Sequence, residues 1–377
     1  MMHFDRVPAR PLARTLAHIA LSLAATSAIA APAVQQVSGT WDHNASVTIT
    51  GSGFGAKPTS APVVWDNANG NRMSDKWDGA WPDKLPGYNT QYYGPMRGVN
   101  PPHSHDSRFI AGAHAANTGA DSGYAVLFYK DISVESSSYI YVSWYQVADR
   151  QWAFGGDNNF KTFVYSVCCG AYQPPYWYTM YGPPHPDSTK DKGLVWAING
   201  QQLANPDENG RNAWWDRAVN PTAGKWSKVE MAIRASSGSD GYVKQWENGA
   251  LVINYAGPTD KFPGTGRTVA IGGYARMQGF TSNWRYFDDV YLDTTLARVV
   301  LADKPKLSDA TIIEIQIPTA WSDGSITATV NLGQFTQGQS AYLFVVDSTG
   351  TVSPTGSPVT AGGTVAQPNA PPSVSVQ

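Results

Sequence analysis

The sequence predicts an all-β protein built from antiparallel sheets, and three observations support this prediction. First, only five of its 29 acidic residues are glutamate, whereas 36 glycines and 26 prolines accompany abundant Asn, Ser and Thr. This composition is poor in helix formers and rich in turn residues. Second, short segments alternate apolar and polar side chains, which is the period of a strand with one buried face. Third, turn signals such as Asn248-Gly249 separate these segments.

The first thirty residues have the pattern of a cleavable signal peptide. Arg6, Arg10 and Arg14 precede an apolar stretch over 16–29, which ends in the small-x-small triplet Ala28-Ile29-Ala30. A signal peptidase accepts such a triplet, so we expect cleavage near Ala30 and a secreted or cell-envelope protein. No later run has the roughly 20 apolar residues of a spanning helix, so no transmembrane segment is predicted.

Charge does not identify a partner for the mature chain. Without residues 1–30 the chain has 24 basic and 28 acidic residues, with no block of one sign. Nothing in this balance favours nucleic acid or an anionic membrane surface. Fourteen Trp and 19 Tyr are a high aromatic content for this length. Some of these rings must fill sandwich interiors, and the surplus is available to line a groove.

Strands can be placed along the chain by alternation and by turn signals. Residues 45–55 alternate Val47 and Ile49 with threonines before a break at Gly51. A segment rich in Gly, Pro and Asn over 67–122 predicts long loops with short strands. Further strands are predicted at 61–65, 123–130, 139–145, 160–167, 193–198, 226–234, 241–247, 251–255, 268–275, 284–293, 312–317, 325–332 and 341–346, before a flexible tail over 361–377.

The predicted strand 226–234 has one apolar and one charged face. Val229, Met231 and Ile233 lie on the first face, and Lys228, Glu230 and Arg234 lie on the second. This alternation predicts a sheet with its second face in solvent. The Asn-Gly pair that follows Glu247 predicts a tight hairpin between the next two strands.

The segment VSGTWDHNASVTITGSGFG at 37–55 resembles the opening of IPT/TIG domains, which are small immunoglobulin-like modules. The usual continuation, Trp-Ser-x-x-Ser-Ile, is found only at 321–326, before the strands ATVNLGQF and AYLFVVDSTG. The resemblance implies one immunoglobulin-like domain formed by 34–66 and 304–360 and interrupted by an insertion over 67–303. Exposed loops tolerate such insertions. Two separate small β modules flanking the insertion are the alternative.

The insertion resembles the concanavalin A-like lectin/glucanase fold in its last strands. The residues that carry the likeness are Gly224-Lys225-Trp226 before the strand at 229–233, the hairpin at 240–249, and YFDDVYLD at 286–293. The resemblance implies an antiparallel jelly-roll sandwich over 67–303 beside the small immunoglobulin-like β-sandwich. That fold hosts lectins, glycoside hydrolases, polysaccharide lyases and inert adhesion modules, so it implies no single activity.

A lyase site is one interpretation of the polar strand that ends at Tyr165. Asn159, Lys161 and Tyr165 share one face of this strand, and Tyr274 and Arg276 end another. The resemblance to lyases of this fold implies a Tyr or His that takes a proton beside a uronate carboxylate, which Arg, Lys or Asn neutralises. The alternative is an ordinary polar strand face packed under a loop.

Hydrolysis by paired glutamates is disfavoured. Glucanases of this fold have Glu-x-Asp-x-x-Glu on one strand, and no such spacing occurs in this chain. Glu230 and Glu247 are the only glutamates on the predicted central strands, and both are expected to face solvent. Hydrolysis by a pair of aspartates is left open. If the chain is an enzyme, it is predicted to be a polysaccharide lyase rather than a glycoside hydrolase.

Two groups of residues are candidate metal ligands. His103 and His105 lie two residues apart, a spacing that suits a transition metal on a strand. Asp288, Asp289 and Asp293 offer the oxygen ligands that calcium prefers in secreted proteins. An ordinary loop and surface turn aspartates are the respective alternatives.

The chain has two cysteines, Cys168 and Cys169, which are adjacent. Neighbouring Cα atoms lie closer together than an ordinary disulfide prefers. An oxidising compartment nevertheless permits a vicinal disulfide, and two buried thiols are the alternative.

A segment dense in aromatic residues at 172–181 is the candidate glycan site. Its prolines argue against a regular strand, and aromatic rings stack on the apolar faces of sugars. A hydrophobic lid is the alternative. The predicted glycan-binding residues are Tyr172, Tyr176, Trp177, Tyr178 and Tyr181, with Trp152 and Asn159.

These observations lead to a secreted carbohydrate-binding protein that recognises a polysaccharide through an aromatic-lined jelly-roll groove. A polysaccharide lyase acting by β-elimination on a uronate-containing glycan is the first alternative. A structural or adhesion module without catalysis is the second. The sequence implies no cofactor other than calcium.

Overall fold

The computed structural model describes residues 30–70, 72–81, 93–94, 108–115, 125–133, 139–149, 159–169, 176–181, 194–199, 222–259, 266–276 and 282–365. The predicted signal peptide, except Ala30, lies outside these residues and stays a prediction. Residues from Ala31 onward form one compact unit. Among the residues that the structure describes, no helix is long and apolar enough to cross a membrane.

The described residues form an all-β structure, as predicted, in which every strand pairing is antiparallel. Two short 3₁₀ turns, Met73–Asp75 and Leu307–Asp309, are the helical segments of this part of the chain. In chain order the strands are β1 Ala33–Thr40, β2 Ser46–Ser52, β3 Val64–Asp66, β4 Gly79–Trp81, β5 Tyr93–Gly94, β6 Phe109–Ala115, β7 Ala125–Ile132, β8 Tyr139–Ala148, β9 Asn159–Val167, β10 Tyr176–Tyr181, β11 Leu194–Asn199, β12 Ser227–Arg234, β13 Tyr242–Glu247, β14 Ala250–Ala256, β15 Arg267–Arg276, β16 Ser282–Asp293, β17 Arg298–Ala302, β18 Ile313–Trp321, β19 Ser325–Thr329, β20 Ser340–Val346, β21 Ser357–Thr360 and β22 Thr364–Val365.

Two sheets form a sandwich at the centre of the chain. The front sheet has the order β11-β10-β9-β15-β7-β4, and the middle sheet has the order β14-β13-β12-β8-β16-β6-β5, with β3 also paired to β16. Their facing side chains form one apolar core, in which the rings of Trp144 and Phe163 stack at 6.1 Å between centroids. The predicted alternation of β12 holds here, since Val229, Met231 and Ile233 all point into this core.

A third sheet, the terminal sheet, joins strands from both ends of the chain. Its order is β21-β20-β17-β18-β19-β2-β1-β22. Ile49 on β2 pairs with Ile326 on β19, and the Trp321 indole donates to the Gly55 carbonyl at 3.1 Å. Side chains from β1, β2, β17, β19 and β20 share one core around the fully buried Trp41. The two segments that resemble an IPT/TIG module therefore lie side by side.

The structure differs from the predicted boundaries at three places. Strand β3 pairs with β16 of the middle sheet, and β17 lies in the terminal sheet although it precedes residue 304. Strand β22 lies within the predicted flexible tail, because Thr364 and Val365 pair with β1. The division of the chain into an interrupted domain and its insertion remains a prediction.

The outer face of the middle sheet packs against the terminal sheet. Tyr141, Ala232 and Tyr291 of the middle sheet contact Val300 and Phe344 of the terminal sheet in a shared apolar cluster. The prediction of a solvent-facing side for β12 is therefore wrong. Lys228 and Glu230 are both 7% exposed, because a second layer covers this face. The prediction for Glu247 is also wrong, since its side chain is buried and accepts a hydrogen bond from Gln245 at 3.1 Å.

Candidate functional site

A crevice of about 760 Å³ opens between the middle sheet and the terminal sheet. One wall consists of β12 and β13 with the hairpin that follows them. The other consists of β17 and of the segments around Leu307 and Val352. The residues that line the crevice include Glu230, Tyr242, Lys244, Trp246, Leu251, Arg298 and Lys306.

The β13 wall of the crevice is aromatic. Tyr242, Lys244 and Trp246 alternate with buried residues, so all three face the crevice and are partly exposed. Tyr242 and Trp246 are four residues apart on the strand, so their Cα atoms lie roughly 13 Å apart along one surface. The Lys244 ammonium lies 5.4 Å from the centroid of the Tyr242 ring. Leu251, which is 48% exposed, extends this apolar surface past the hairpin.

The Asn-Gly turn holds this wall in place. Asn248 and Gly249 have φ values of 49° and 79°, as the two central residues of a tight hairpin turn require. The side-chain oxygen of Asn248 accepts a hydrogen bond from the Lys228 backbone N–H at 2.9 Å. The predicted hairpin is therefore confirmed, and it sets the pairing of β13 with β14.

Two of the lining residues, Glu230 and Arg298, contact the buried side chain of Tyr141, which does not itself line the crevice. The Tyr141 hydroxyl donates to Glu230 at 2.5 Å, and the Arg298 guanidinium lies 4.1 Å from the Tyr141 ring centroid. Burial, and then the nearby Glu230 charge, raise the pKa of Tyr141 well above its usual value, although Arg298 opposes this. Tyr141 therefore stays a neutral donor to Glu230.

Arg298 is fixed in position yet retains donor capacity. One terminal nitrogen donates to the Leu296 carbonyl at 2.8 Å. Its buried Nε has no hydrogen-bond partner among the residues that the structure describes. With Lys244 and the exposed Lys306 it gives the crevice three cationic groups, against the single carboxylate of Glu230 among its lining residues. This arrangement suits binding of a ligand with an apolar face and polar or anionic groups.

The predicted lyase strand face is turned toward the sandwich interior. Phe163 and Tyr165 both belong to the core between the front and middle sheets. Tyr165 is 3% exposed, and the Arg267 guanidinium lies 5.7 Å from its ring centroid. This burial argues against the lyase role predicted for Tyr165, because the middle sheet covers its side.

Lys161 lies beside an irregularity in β9, because Thr179 of β10 pairs with Phe163 whereas the adjacent Met180 pairs with Lys161. This irregularity interrupts the face that Lys161 and Tyr165 were predicted to share. The Lys161 carbonyl accepts a hydrogen bond from Arg285 at 2.9 Å, and Arg285 also reaches Gln146 at 3.5 Å. Burial lowers the pKa of Lys161 to about 8, so roughly a tenth of its amine is neutral at pH 7. A neutral amine can accept a proton, so Lys161 retains the ability to act as a general base that a lyase needs.

The other predicted lyase residues are placed only by their backbone. Tyr274 pairs with Ala125, and Arg276 pairs with Asn159 across neighbouring strands. The side chains of Tyr274, Arg276 and Asn159 lie outside the described residues. The proximity of Arg276 to the start of β9 therefore holds at the level of register.

The predicted aromatic loop is in part a strand. Tyr176–Tyr181 is β10, which pairs with β9 on one side and β11 on the other, because both prolines precede it. Tyr181 is fully buried, and its hydroxyl accepts from Gln146 at 3.3 Å, so its predicted glycan contact is wrong. The whole of Tyr172 and Trp152, and the side chains of Tyr176, Trp177 and Tyr178, lie outside the described residues.

The structure does not gather the predicted calcium ligands. Asp293 forms a buried ion pair with Lys57 at 2.7 Å and accepts from Tyr291 at 2.9 Å. Burial raises the pKa of Asp293, and Lys57 opposes this rise. Asp289 accepts from Asn331 at 2.7 Å, while Asp288 accepts from the Asp289 backbone N–H. His103 and His105 lie outside the described residues.

A different trio of potential metal ligands occurs on the front sheet. The structure joins Cys168 and Cys169 by a disulfide, which decides between the two alternatives left by the sequence. One carboxylate oxygen of Asp131 and the two sulfur atoms all lie within 4.8 Å of one another. Among the residues that the structure describes, this is the one group of three such ligand atoms.

The sequence did not predict the crevice, because its two walls come from segments that are far apart in the chain. The alternation of Tyr242, Lys244 and Trp246 on β13 is visible in the sequence and marks one face of a strand. The opposite wall comes from residues 50 to 110 positions later in the chain, such as Arg298 and Val352. No local pattern indicates that these two surfaces meet.

No known protein family matches the chain, and no curated protein matches it either. Solved structures do match. An endo-β-1,4-glucuronan lyase from the fungus Trichoderma reesei is 15% identical, covers 63% of this chain and 97% of its own, and has a TM-score of 0.43. Alginate lyase Aly36B is 13% identical over 69% of this chain and 98% of its own, with a TM-score of 0.37. The Emp46p carbohydrate recognition domain is 7% identical over 61% and 98%, also with a TM-score of 0.37. These values assign neither a family nor an activity to this chain.

Proposed function

We propose that this chain is an exported polysaccharide-binding protein and that the crevice between the middle and terminal sheets holds the glycan. The observation that carries the proposal is the aromatic wall of Tyr242 and Trp246, which faces a crevice of about 760 Å³ lined by three cationic groups. Aromatic faces stack on the apolar faces of sugar rings, and charged groups fix their orientation.

The charges of the crevice favour a glycan with anionic groups. Lys244, Arg298 and Lys306 outnumber Glu230, whose charge is already engaged by the Tyr141 hydroxyl. Within the described part of the chain, the Nε donor of Arg298 has no hydrogen-bond partner, and a guanidinium binds carboxylates and sulfates with directional hydrogen bonds. A neutral glycan would leave these cations uncompensated, so we expect weaker binding to it.

Export is part of the proposal. The signal-peptide pattern at 1–30 and the disulfide between Cys168 and Cys169 both suit an oxidising compartment outside the cytoplasm. Polysaccharides are abundant partners in such compartments. Mass spectrometry of the exported protein should find its new N-terminus near Ala31.

The binding test uses the mature chain, residues 31–377, with calorimetry against matched acidic and neutral polysaccharides. We expect saturable binding of an acidic glycan without product release. Trp246→Ala and Tyr242→Ala should each weaken it roughly tenfold, the loss of about 1.4 kcal/mol of stacking. Tyr255→Ala is the matched control, because Tyr255 is also partly buried on a strand but lies outside the crevice.

Two outcomes would contradict the binding proposal. One is the absence of binding to every polysaccharide tested, which would favour a structural or adhesion module. The other is binding that the crevice variants and the Tyr255 control weaken equally, which would place the glycan elsewhere.

A polysaccharide lyase is the second candidate function, and one observation favours it. The amine of Lys161, with its pKa lowered to about 8, is able to accept a proton near neutral pH. In β-elimination the base takes the proton beside the uronate carboxylate, and the bond to the leaving glycosidic oxygen breaks to form a carbon–carbon double bond. The burial of Tyr165 argues against its predicted role in this step.

The lyase test measures ultraviolet absorption of the unsaturated product. Wild-type protein should produce it from a uronate polysaccharide, and Lys161→Ala should abolish it while Lys225→Ala, a change at an exposed lysine, should not. Absence of the absorbing product from the wild type, or full activity of Lys161→Ala, would eliminate this candidate.

A further inference from the structure

We propose that Asp131, Cys168 and Cys169 form a binding site for a thiophilic divalent cation such as Zn²⁺ when their disulfide is reduced. One carboxylate oxygen and the two sulfur atoms lie within 4.8 Å of one another. Asp131 belongs to β7 and the two cysteines follow β9, so the fold and not the chain sequence brings the carboxylate to the sulfurs. The site shares no residue with the crevice and is independent of the proposed glycan binding.

Three strand ends build the site. Asp131 is the next-to-last residue of β7, and Cys168 directly follows β9. Strand β15 lies between them and pairs with both, so that Thr268 is opposite Asp131 on one side and Ser166 on the other. The Cys168 backbone N–H donates to the Gly266 carbonyl at 3.0 Å, which fixes the start of the cysteine pair.

The carboxylate of the site is oriented by its neighbours. The Thr268 hydroxyl donates to Asp131. The backbone N–H of Asp131 donates to Asp78 at 2.7 Å, and Asp78 is held in turn by Lys130, also at 2.7 Å. Metal ligands that are supported in this way by second hydrogen bonds bind more tightly than mobile ones.

The site is accessible from solvent. Cys169 is exposed, and Cys168 and Asp131 are partly exposed, so a reductant and a cation both reach it. A dithiol reductant supplies two electrons and two protons, the S–S bond breaks, and the reductant becomes a disulfide. Binding of the cation then displaces the thiol protons, because the thiolates are the ligands.

The separation of the ligand atoms suits one cation. Two thiolates bound at about 2.3 Å in tetrahedral geometry lie roughly 3.8 Å apart, a separation that the sulfur atoms reach only after the S–S bond breaks. The Asp131 oxygen supplies a third ligand and water the fourth. Sulfur ligands select Zn²⁺ and Cd²⁺ over Ca²⁺ or Mg²⁺. In the oxidised protein the sulfurs are bonded to each other, so binding depends on the redox state.

The test titrates Cd²⁺ into the mature protein before and after dithiol reduction, with the dithiol removed by desalting under argon. We expect one equivalent bound to the reduced form, with ultraviolet thiolate-to-cadmium charge transfer, and none bound to the oxidised form. Asp131→Asn should weaken binding at least tenfold. Asp309→Asn, at an exposed aspartate far along the chain, should leave it unchanged.

Several results would overturn the proposal. Reduced protein that takes up no stoichiometric Cd²⁺, oxidised protein that takes up as much, or an Asp131→Asn variant of unchanged affinity would each do so. Circular dichroism shows whether the reduced protein remains folded. Loss of the native β spectrum on reduction would also overturn the proposal. Glycan binding by the oxidised protein is unaffected by any of these results.

Discussion

Replacing Tyr145 by phenylalanine tests the polar contact that joins the middle sheet to the terminal sheet. The buried Tyr145 hydroxyl donates to Glu314 at 2.7 Å and accepts from Gln334 at 2.9 Å. Burial, then the Glu314 charge, raise the pKa of Tyr145 well above its usual value, so the donor is a neutral phenol. Phenylalanine keeps the ring, and with it the cation–π contact to Lys228 at 5.6 Å. The substitution therefore isolates the hydroxyl.

The expected loss of stability follows from the partners that remain. The Glu314 carboxylate is 1% exposed. In the variant it still accepts a hydrogen bond from the Gln334 backbone N–H at 3.1 Å, but it loses the shorter hydrogen bond from the Tyr145 hydroxyl. A hydrogen bond to a charged group contributes about 1.5–3 kcal/mol. The exposed side-chain amide of Gln334 loses its hydrogen bond to the Tyr145 hydroxyl but can bond to water instead, so it adds little to the loss of stability. We expect Tyr145→Phe to lower the free energy of unfolding by about 2 kcal/mol.

Urea unfolding at pH 7, followed by tryptophan fluorescence, measures this loss. Tyr255→Phe is the matched control, since its hydroxyl donates to the neutral Pro258 carbonyl and its removal should cost about 1 kcal/mol or less. A double-mutant cycle with Glu314→Gln should find a coupling of about 1–2 kcal/mol. Equal costs for the two Tyr→Phe variants, or no coupling with Glu314, would refute the reasoning.

Two further predictions concern stability. Gly333→Ala should lower the free energy of unfolding by more than about 2 kcal/mol. Gly333 has φ of 51°, which strains any residue with a Cβ, and an added Cβ would lie 2.2 Å from the Glu314 carboxyl carbon. Gly338→Ala, with φ of 83° and open space, should cost only about 1 kcal/mol of backbone strain; equal costs in denaturant titrations would contradict the steric argument. Burial acts to raise the pKa of Asp303, but hydrogen bonds from its loop outweigh burial and lower it from 3.8 to about 2. The contribution of the Asp303 carboxylate to stability is therefore present above about pH 4 and lost as the pH falls through 2. The urea midpoint of the wild type should fall between these pH values, and Asp303→Asn should make this fall smaller. An equal fall in the variant would show that Asp303 is not responsible.

Most strand positions could be predicted from the sequence, because alternation and turn chemistry act over a few residues. The predicted strand at 226–234 is β12 to within one residue, and Asn248-Gly249 forms the predicted turn. The strand Tyr176–Tyr181 was missed because two prolines precede it, although proline excludes a strand only at its own position. The candidate site was predicted less well, since the residues that line the crevice belong to distant segments.

Local periodicity identifies which residues share a face, but it does not identify what that face meets. The sequence alone determined that Lys228 and Glu230 lie on one side of β12 and that the cysteines are adjacent. It did not indicate the irregular pairing of β9 between Lys161 and Phe163, which interrupts the face predicted to carry both Lys161 and Tyr165. Only the tertiary structure decided that Tyr165 is buried by the middle sheet and that Glu230 is covered by the terminal sheet. The reason is physical: the layers that cover these faces come from strands far away in the chain, and their packing has no signature in the local sequence.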